Sequence, residues 1–248
     1  MKKQLIALTL FGASFFNVSA QEETLKPIEG DWGVLLNLNG LIDDIRLSNV
    51  STPYSENNAS LITGKYYLSS EKAIRFDFGP SISSVKEMEE DSVGASLVGS
   101  ERTTTNSSLY LAMGLEKHFK GTKRLDPYIA GQVALGFIGK TKIDTELKDV
   151  SSIGTETTTI IREEDGGFAF GLVGTAGFNY FIAKNFAFGA EYSISYNYIK
   201  EGGNFSEITQ LNPISGGSSS TVEKGKIQTN SNTFNVDGNA RILLSYYF

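Results

Sequence analysis

The chain has 248 residues, a formal net charge of −6, no cysteine and 11% aromatic residues. The negative charge argues against nucleic-acid binding, which depends on lysine and arginine, and the length suits a single domain. The absence of cysteine excludes a disulfide framework and a lipid-modified cysteine.

Residues 1–20 have the pattern of a secretory signal peptide. Lys2 and Lys3 precede an apolar run over residues 5–16, and small residues end at Ala20. The run is shorter than the roughly 20 residues that a membrane-spanning helix needs. We therefore expect an exported protein, cleaved after Ala20, whose mature chain begins with a short periplasmic segment at 21–30.

Apolar and polar residues alternate in eight later segments. These are 31–41, 60–68, 73–83, 107–119, 128–140, 168–182, 186–199 and 233–248. Each is near or above the roughly 9–11 residues that a tilted strand needs to cross a bilayer, and strand side chains alternate between two faces. The pattern predicts eight transmembrane strands, although it would also suit half-buried strands of a soluble sandwich.

The connections between these segments alternate between short and long. Segments 69–72, 120–126 and 183–185 are short, whereas 42–59, 84–106, 141–167 and 200–232 are long and polar. Outer-membrane barrels have short periplasmic turns and long extracellular loops, so the order predicts that both termini are periplasmic. Residues 156–163 and 221–229 also have strand character, which predicts a sheet that protrudes beyond the membrane.

Aromatic residues cluster at the predicted periplasmic end of seven of the eight segments. They are Trp32, Tyr66, Tyr67, Phe119, Tyr128, Tyr180, Phe181, Phe186, Phe188, Tyr246, Tyr247 and Phe248. Amphipathic rings concentrate at the headgroup level of a membrane and form a girdle. A soluble sandwich gives no reason for rings at one end of every strand, so this clustering favours the membrane interpretation.

Taken together, these patterns resemble the small bacterial outer-membrane β-barrel family of the OmpA-barrel, OmpX and OmpW type. The resemblance also rests on the DPYIAG sequence at 126–131 and on the terminal Tyr246-Tyr247-Phe248. It implies an all-β, eight-stranded antiparallel up-and-down transmembrane β-barrel over 31–248, in the cell outer membrane among lipid and lipopolysaccharide. It further implies that the barrel-assembly machinery recognises Phe248 together with Tyr246.

The interior of an eight-stranded barrel is just wide enough to be filled by side chains. The predicted inward polar residues are Lys65, Arg75, Asp77, Glu116, Gln132, Glu191, Asp237, Asn239 and Arg241. Charges removed from water must be paired. The expected pairs are Lys65 with Asp77, Arg75 with Glu116, and Glu191 with Arg241. We interpret this set as a salt-bridged plug, and the alternative is a path for ions or protons.

Gly79 and Pro80 interrupt the third predicted strand. Proline cannot donate a hydrogen bond to its neighbour, and a closed barrel offers it no edge strand. The sequence therefore predicts a wall bulge near the outer rim. The alternative is a lateral gate for small apolar molecules, but such a gate would need an apolar interior.

We predict a structural or surface-interaction role of the adhesive kind, with an extracellular partner at 84–106, 141–167 and 200–232. The alternative is a narrow channel or a transporter of small apolar solutes. We expect no enzyme activity, cofactor or metal site, because the single histidine, His118, lies near the periplasmic end, two residues from Glu116. A lone histidine beside a turn is more often a packing residue than a catalytic base.

Overall fold

A computed structural model describes residues 25–38, 62–93, 96–235 and 240–248. The strands are β1 Trp32–Asn37, β2 Ile62–Ser69, β3 Lys72–Val93, β4 Ser96–His118, β5 Leu125–Ile138, β6 Thr141–Ser151, β7 Gly154–Glu164, β8 Gly167–Ala183, β9 Phe186–Asn212, β10 Ser219–Asn235 and β11 Arg241–Tyr247. In these ranges no helix has the length and apolar character needed to cross a membrane. The signal-peptide prediction for 1–20 lies outside the described residues.

Eight of these strands form a closed ring in the order β1, β2, β3, β4, β5, β8, β9 and β11. Every pairing is antiparallel, and the ring closes because β11 pairs with both β9 and β1. The prediction of an all-β antiparallel fold with a ring of eight strands is confirmed. The prediction of only eight strands is wrong, because eleven are present in the described ranges.

The alternation along each ring strand places polar and small side chains inside, with a few larger apolar ones such as Leu35 and Leu243, and places apolar side chains outside. On β5, Gln132 is 5% exposed and Ala134 is 2% exposed, whereas Leu135 is 46% exposed. Successive strand residues point to opposite faces, so a single register assigns both faces of the strand. The outer face of the ring is consequently an exposed apolar band.

The three additional strands belong to a sheet that continues beyond one end of the ring. β3 and β4 extend to the hairpin at Val93 and Ser96, β6 pairs with this part of β4, β7 pairs with β6 and β9, and β10 pairs with β9. We call this part, in the order β3–β4–β6–β7–β9–β10, the distal sheet. The strand character predicted for 156–163 and 221–229 is present in β7 and β10.

The segments 84–106, 141–167 and 200–232, which were expected to be long loops, are therefore mostly strands. The correction has a physical cause, because β6 and β7 pair with each other as a local hairpin but the strands that flank this hairpin are distant in sequence. Thr145 on β6 pairs with Arg102 on β4, and Ile161 on β7 pairs with Ile208 on β9. Local composition alone did not reveal these partners.

The short connections lie at the opposite end of the ring, which we call the turn end. Residues 70–71, 119–124 and 184–185 join successive ring strands there. The chain also meets itself at this end, where the Trp32 and Phe248 backbones exchange hydrogen bonds of 2.8 and 2.9 Å. The predicted short connections are thus turns at one end, and the segments 84–106, 141–167 and 200–232 are hairpins at the other, whereas the predicted long connection 42–59 lies outside the described residues.

The aromatic residues at the turn end divide into two groups. Adjacent rings such as Tyr66 and Tyr67 point to opposite faces, so each such pair contributes one ring outside and one inside. Tyr67, Phe181 and Tyr247 are buried in the interior. The exposed rings are Trp32, Phe119, Tyr180, Phe188, Tyr246 and Phe248. The exposed aromatic side chains lie on the outer surface at the turn end, and the buried ones fill the interior there.

The pairing of β3 with β4 runs through Gly79 and Pro80 without a register shift, so it contains no bulge there. The described part of β2 begins at Ile62, opposite Phe78, so the neighbour of Gly79 and Pro80 on the β2 side lies outside the described residues. From Gly79 onward β3 therefore has a described neighbour on one side only.

Candidate functional site

Arg75 is at the centre of the charged residues inside the ring, and its side chain is fully buried. Its Nη2 donates a hydrogen bond of 3.0 Å to Glu191 Oε2, and Nη1 also contacts the same carboxylate. Nη1 lies 3.4 Å from Glu116 Oε2, and Nε lies 3.4 Å from Asp77 Oδ1. Three carboxylates from three strands therefore surround one guanidinium.

Lys65 enters the same group from β2 and is also fully buried. Its Nζ lies 2.6 Å from Glu116 Oε1 and 4.0 Å from the centre of the Tyr128 ring. Asp77, the expected partner of Lys65, instead accepts hydrogen bonds from Thr63 at 2.5 Å and Gln132 at 2.8 Å. The expected pairing of Lys65 with Asp77 is therefore wrong, because the long lysine side chain reaches over β3 to Glu116 on β4.

Glu191 on β9 connects the group to the last strand. Its Oε2 lies 2.9 Å from Arg241 Nη2, and its Oε1 accepts a hydrogen bond of 2.5 Å from Tyr128 Oη. Arg241 and Glu191 are directly opposite in the register of β11 and β9. The structure thus contains the expected contacts of Arg75 with Glu116 and of Glu191 with Arg241. Asp237 and Asn239 lie outside the described residues.

We call this group the interior network. Its members are Thr63, Lys65, Arg75, Asp77, Glu116, Tyr128, Gln132, Glu191 and Arg241. A buried charge without a partner costs several kcal/mol, so mutual pairing is what makes these residues tolerable inside the ring. The network links six ring strands across the interior, and it holds the side chains in fixed contacts rather than leaving a row of free charges.

His118 extends the interior network toward the turn end, a position that was not predicted from the sequence. Its Nδ1 lies 2.7 Å from Asp126 Oδ2, and its Nε2 lies 2.9 Å from Glu116 Oε1 without hydrogen-bond alignment. The imidazole also packs near the rings of Tyr67 and Tyr128. The available signal was the alternation itself, which puts His118 on the same face as Glu116.

The described part of the N-terminal segment lies over the interior at the turn end. Leu25 packs against the buried cluster that contains Tyr67, and Lys26 Nζ lies 3.4 Å from Asp126 Oδ1. The Gly30 N–H donates a hydrogen bond of 2.9 Å to the Tyr67 carbonyl. The interior at this end is therefore filled by buried rings and bordered by an ion pair. No group of residues in the described ranges is arranged to hold a metal ion.

Charges on the distal sheet lie mainly at its surface. Lys86 and Glu101 are exposed and form an ion pair of 2.7 Å across β3 and β4. Arg162 on β7 contacts Glu164 at 2.6 Å and Glu207 at 3.2 Å, and it lies over the Phe205 ring. The hydrogen bond that Arg162 Nε donates to Glu164 Oε1 raises the pKa of Arg162 above its ordinary value.

The distal sheet has two outer strands in the described part of the chain. Beyond Pro80, β3 pairs only with β4, and β10 pairs only with β9. Each outer strand carries exposed apolar side chains among polar ones, including Met88 on β3 and Val222 on β10. An outer strand with unpaired backbone groups can accept another strand.

Residues 50–210 match the OmpA-OmpF-like porin family, and this range is more than half of the chain. The chain belongs to this family. Membership implies an outer-membrane location, and it agrees with the closed antiparallel ring and its apolar outer face. No curated protein and no solved structure matches the chain.

For a member of this porin-like family, the two candidate functional regions are the interior network and the distal sheet. The first occupies the place where a pore would run, and its charged groups contact one another. The second presents polar surface and outer strands away from the turn end. The family suggests a non-enzymatic structural or channel protein.

Proposed function

We propose that the chain is an eight-stranded transmembrane β-barrel of the outer membrane whose role is structural or adhesive at the cell surface. The observation that carries this proposal is the contrast between a closed ring with an apolar outer face and the polar distal sheet that continues it. A closed ring leaves no unpaired strand edge in lipid, which is the condition for strands to cross a bilayer.

The orientation follows from the two ends of the ring. Short turns face the periplasm in known outer-membrane barrels, so the turn end is periplasmic and the distal sheet is extracellular. A signal peptide at 1–20, cleaved after Ala20, would deliver the chain. Tyr246 and Phe248 stack with ring centres 5.9 Å apart on the exposed outer face, where the barrel-assembly machinery could read them.

In this proposal the interior network is a plug. Lys65, Arg75 and Glu116 are each at most 1% exposed, which supports an interior filled by side chains. An eight-stranded barrel has room for little more than such filling. The function is therefore assigned to the outside of the barrel, and above all to the distal sheet.

The distal sheet supports an interaction role because an extended partner can add a strand to β3 or β10 through backbone hydrogen bonds. The surface covers most of 84–106, 141–167 and 200–232. We suggest comparing the surface adhesion of cells that carry the native chain with that of cells carrying Val222→Pro or a deletion of residues 141–164. The proposal expects weaker adhesion at an equal amount of protein in the outer membrane. Unchanged adhesion of both variants would contradict it.

A narrow channel is the second candidate. It is favoured by the porin-like family and by Arg75, which contacts both Glu116 and Glu191 and could exchange one for the other. Single-channel recording on the purified protein separates the two proposals. A plug predicts no stable conductance, whereas a stable conductance that disappears in Arg241→Ala or Glu191→Ala would favour the channel. Passage of apolar solutes at Gly79 and Pro80 fits the charged interior less well.

A further inference from the structure

Two lysines face each other at the turn end of the ring. Lys72 on β3 and Lys117 on β4 are directly opposite in the register, and both side chains are exposed. Like charges at directly opposed positions destabilise a strand pair. Neither lysine forms an ion pair with another residue in the described ranges, although Lys117 lies 5.8 Å from the centre of the Phe119 ring. An anion between the two ammonium groups would offset their repulsion.

The surroundings of these lysines are apolar. The next outward pair along the same two strands is Ile74 opposite Leu115, and Ile129 pairs with Lys117 from the other side. Lysine stems can lie along apolar surface while the charged ends reach toward water. The two cations are thus at the margin of the apolar outer band, where a membrane headgroup region would begin.

An apolar groove starts two residues farther along β4. Gly131 and Gly174 are paired in the register of β5 and β8 and form its floor. Its walls are the large side chains of Met113, Leu115, Val133, Leu172, Ile194, Tyr196 and Phe234. The groove has a volume of about 540 Å³. A Cβ atom added at Gly131 would meet no other heavy atom within 4 Å, so the floor is open space.

We propose that the lysine pair and the groove together bind one anionic phospholipid of the periplasmic leaflet. The phosphate would lie between Lys72 and Lys117, and an acyl chain would lie in the groove. Two residues of strand separate Lys117 from Leu115 at the start of the groove, a distance of roughly 7 Å that a glycerol backbone can span. This inference rests on the proposed membrane placement of the ring.

The charges favour a phospholipid over other occupants of the groove. A second copy of the chain in the same membrane would bring its own Lys72 and Lys117 to the same level and add to the repulsion. Lipopolysaccharide belongs to the outer leaflet, on the side of the distal sheet, whereas the lysines are at the turn end. A phospholipid has a negatively charged phosphate next to apolar acyl chains. This matches the lysine pair, which is followed along the strand by the apolar groove.

The test uses the full chain reconstituted in lipid nanodiscs, with bound lipid measured by native mass spectrometry after release into detergent. We expect the protein to retain one phosphatidylglycerol in preference to phosphatidylcholine. Lys72→Gln with Lys117→Gln should weaken phosphatidylglycerol binding roughly 25-fold, because each basic residue near a lipid surface contributes about fivefold. The control, Lys224→Gln with Lys226→Gln, makes the same charge change on β10 and should leave binding unchanged.

A second variant tests the groove itself. Gly131→Val places a strand-compatible side chain in the open space and should weaken retention of both lipids while the lysines remain. Equal retention of the two lipids by the native chain, or no effect of the paired lysine changes, would overturn the proposal. Lysine-dependent binding of inorganic phosphate with no effect of Gly131→Val would identify a phosphate site instead.

Failure of the membrane proposal itself gives a different result. A membrane barrel incorporates into nanodiscs and migrates differently on a gel before and after boiling. If the native chain does neither, both the proposed function and the proposed lipid site are wrong. If the chain does both but shows no preference for the anionic lipid, only the lipid site is wrong.

Discussion

Charged side chains are buried inside the ring but exposed on the distal sheet. Inside the ring, Arg75 is fully buried and contacts three carboxylates. On the distal sheet, Lys86 and Glu101 form one ion pair while both side chains remain about half exposed. The same alternating sequence pattern thus produces a sealed interior in one region and a hydrated surface in the other. The difference comes from closure of the ring, which removes water from one face of its strands.

The largest expected effect comes from removing the central cation of the interior network. Arg75→Met leaves Glu191, Glu116 and Asp77 without their shared partner, and breaking a buried pair in this way costs about 3–5 kcal/mol. Urea unfolding of the reconstituted protein measures the loss. Arg162→Met on the distal sheet is the control and should cost less than about 1 kcal/mol, because its ion pairs are partly exposed. Similar losses of unfolding free energy in the two variants would contradict the difference between the buried interior network and the exposed distal sheet.

A charge placed on the outer face tests the other side of the same strands. Val133 on β5 is 47% exposed and Val222 on β10 is 56% exposed, so ordinary burial does not distinguish them. In a membrane, Val133→Arg should cost about 2–4 kcal/mol of unfolding free energy, depending on depth, because the arginine would face lipid. Val222→Arg should cost close to nothing. Equal tolerance of both changes would indicate that the ring does not face lipid.

The smallest effect concerns a single surface ion pair. A double-mutant cycle on Lys86 and Glu101 should give a coupling of about 0.2–1 kcal/mol. Salt should reduce this coupling, because exposed charges are screened. The same cycle on Lys65 and Glu116 should give a larger coupling that changes little with salt. A salt-sensitive Lys65–Glu116 coupling would mean that water reaches the interior network.

The sequence predicted the ring well because alternation is a local property. The segment predicted at 128–140 corresponds to β5, Leu125–Ile138, and the same pattern correctly turned Arg75, Glu116 and Glu191 inward. To assign a residue to the inner or outer face, it was enough to know whether it is at an odd or an even position along its own strand. The lengths of the connections, and the aromatic residues of seven segments, then indicated which strand ends lie together.

The sequence did not predict features that depend on closure or on distant pairing. Lys65 contacts Glu116 over the intervening strand β3, and this contact depends on the pairing of β3 with both β2 and β4. His118 lies beside Asp126 because two strands meet beyond a turn. The strand character of 156–163 was predicted, but the pairing of β7 with β9, which is distant in sequence, was not. The alternation of polar and apolar residues within a single strand does not predict any of these contacts.

The central claim is that the outer face of the ring lies in lipid while the distal sheet lies in water. The chain has no cysteine, so single cysteines can carry spin labels without background. Leu135 on β5 and Leu147 on β6 are suitable sites because they are 46% and 39% exposed. In liposomes, we expect the label at Leu135→Cys to collide with oxygen but not with an aqueous nickel chelate, and the label at Leu147→Cys to do the reverse. Free access of the nickel chelate to both labels would contradict the account.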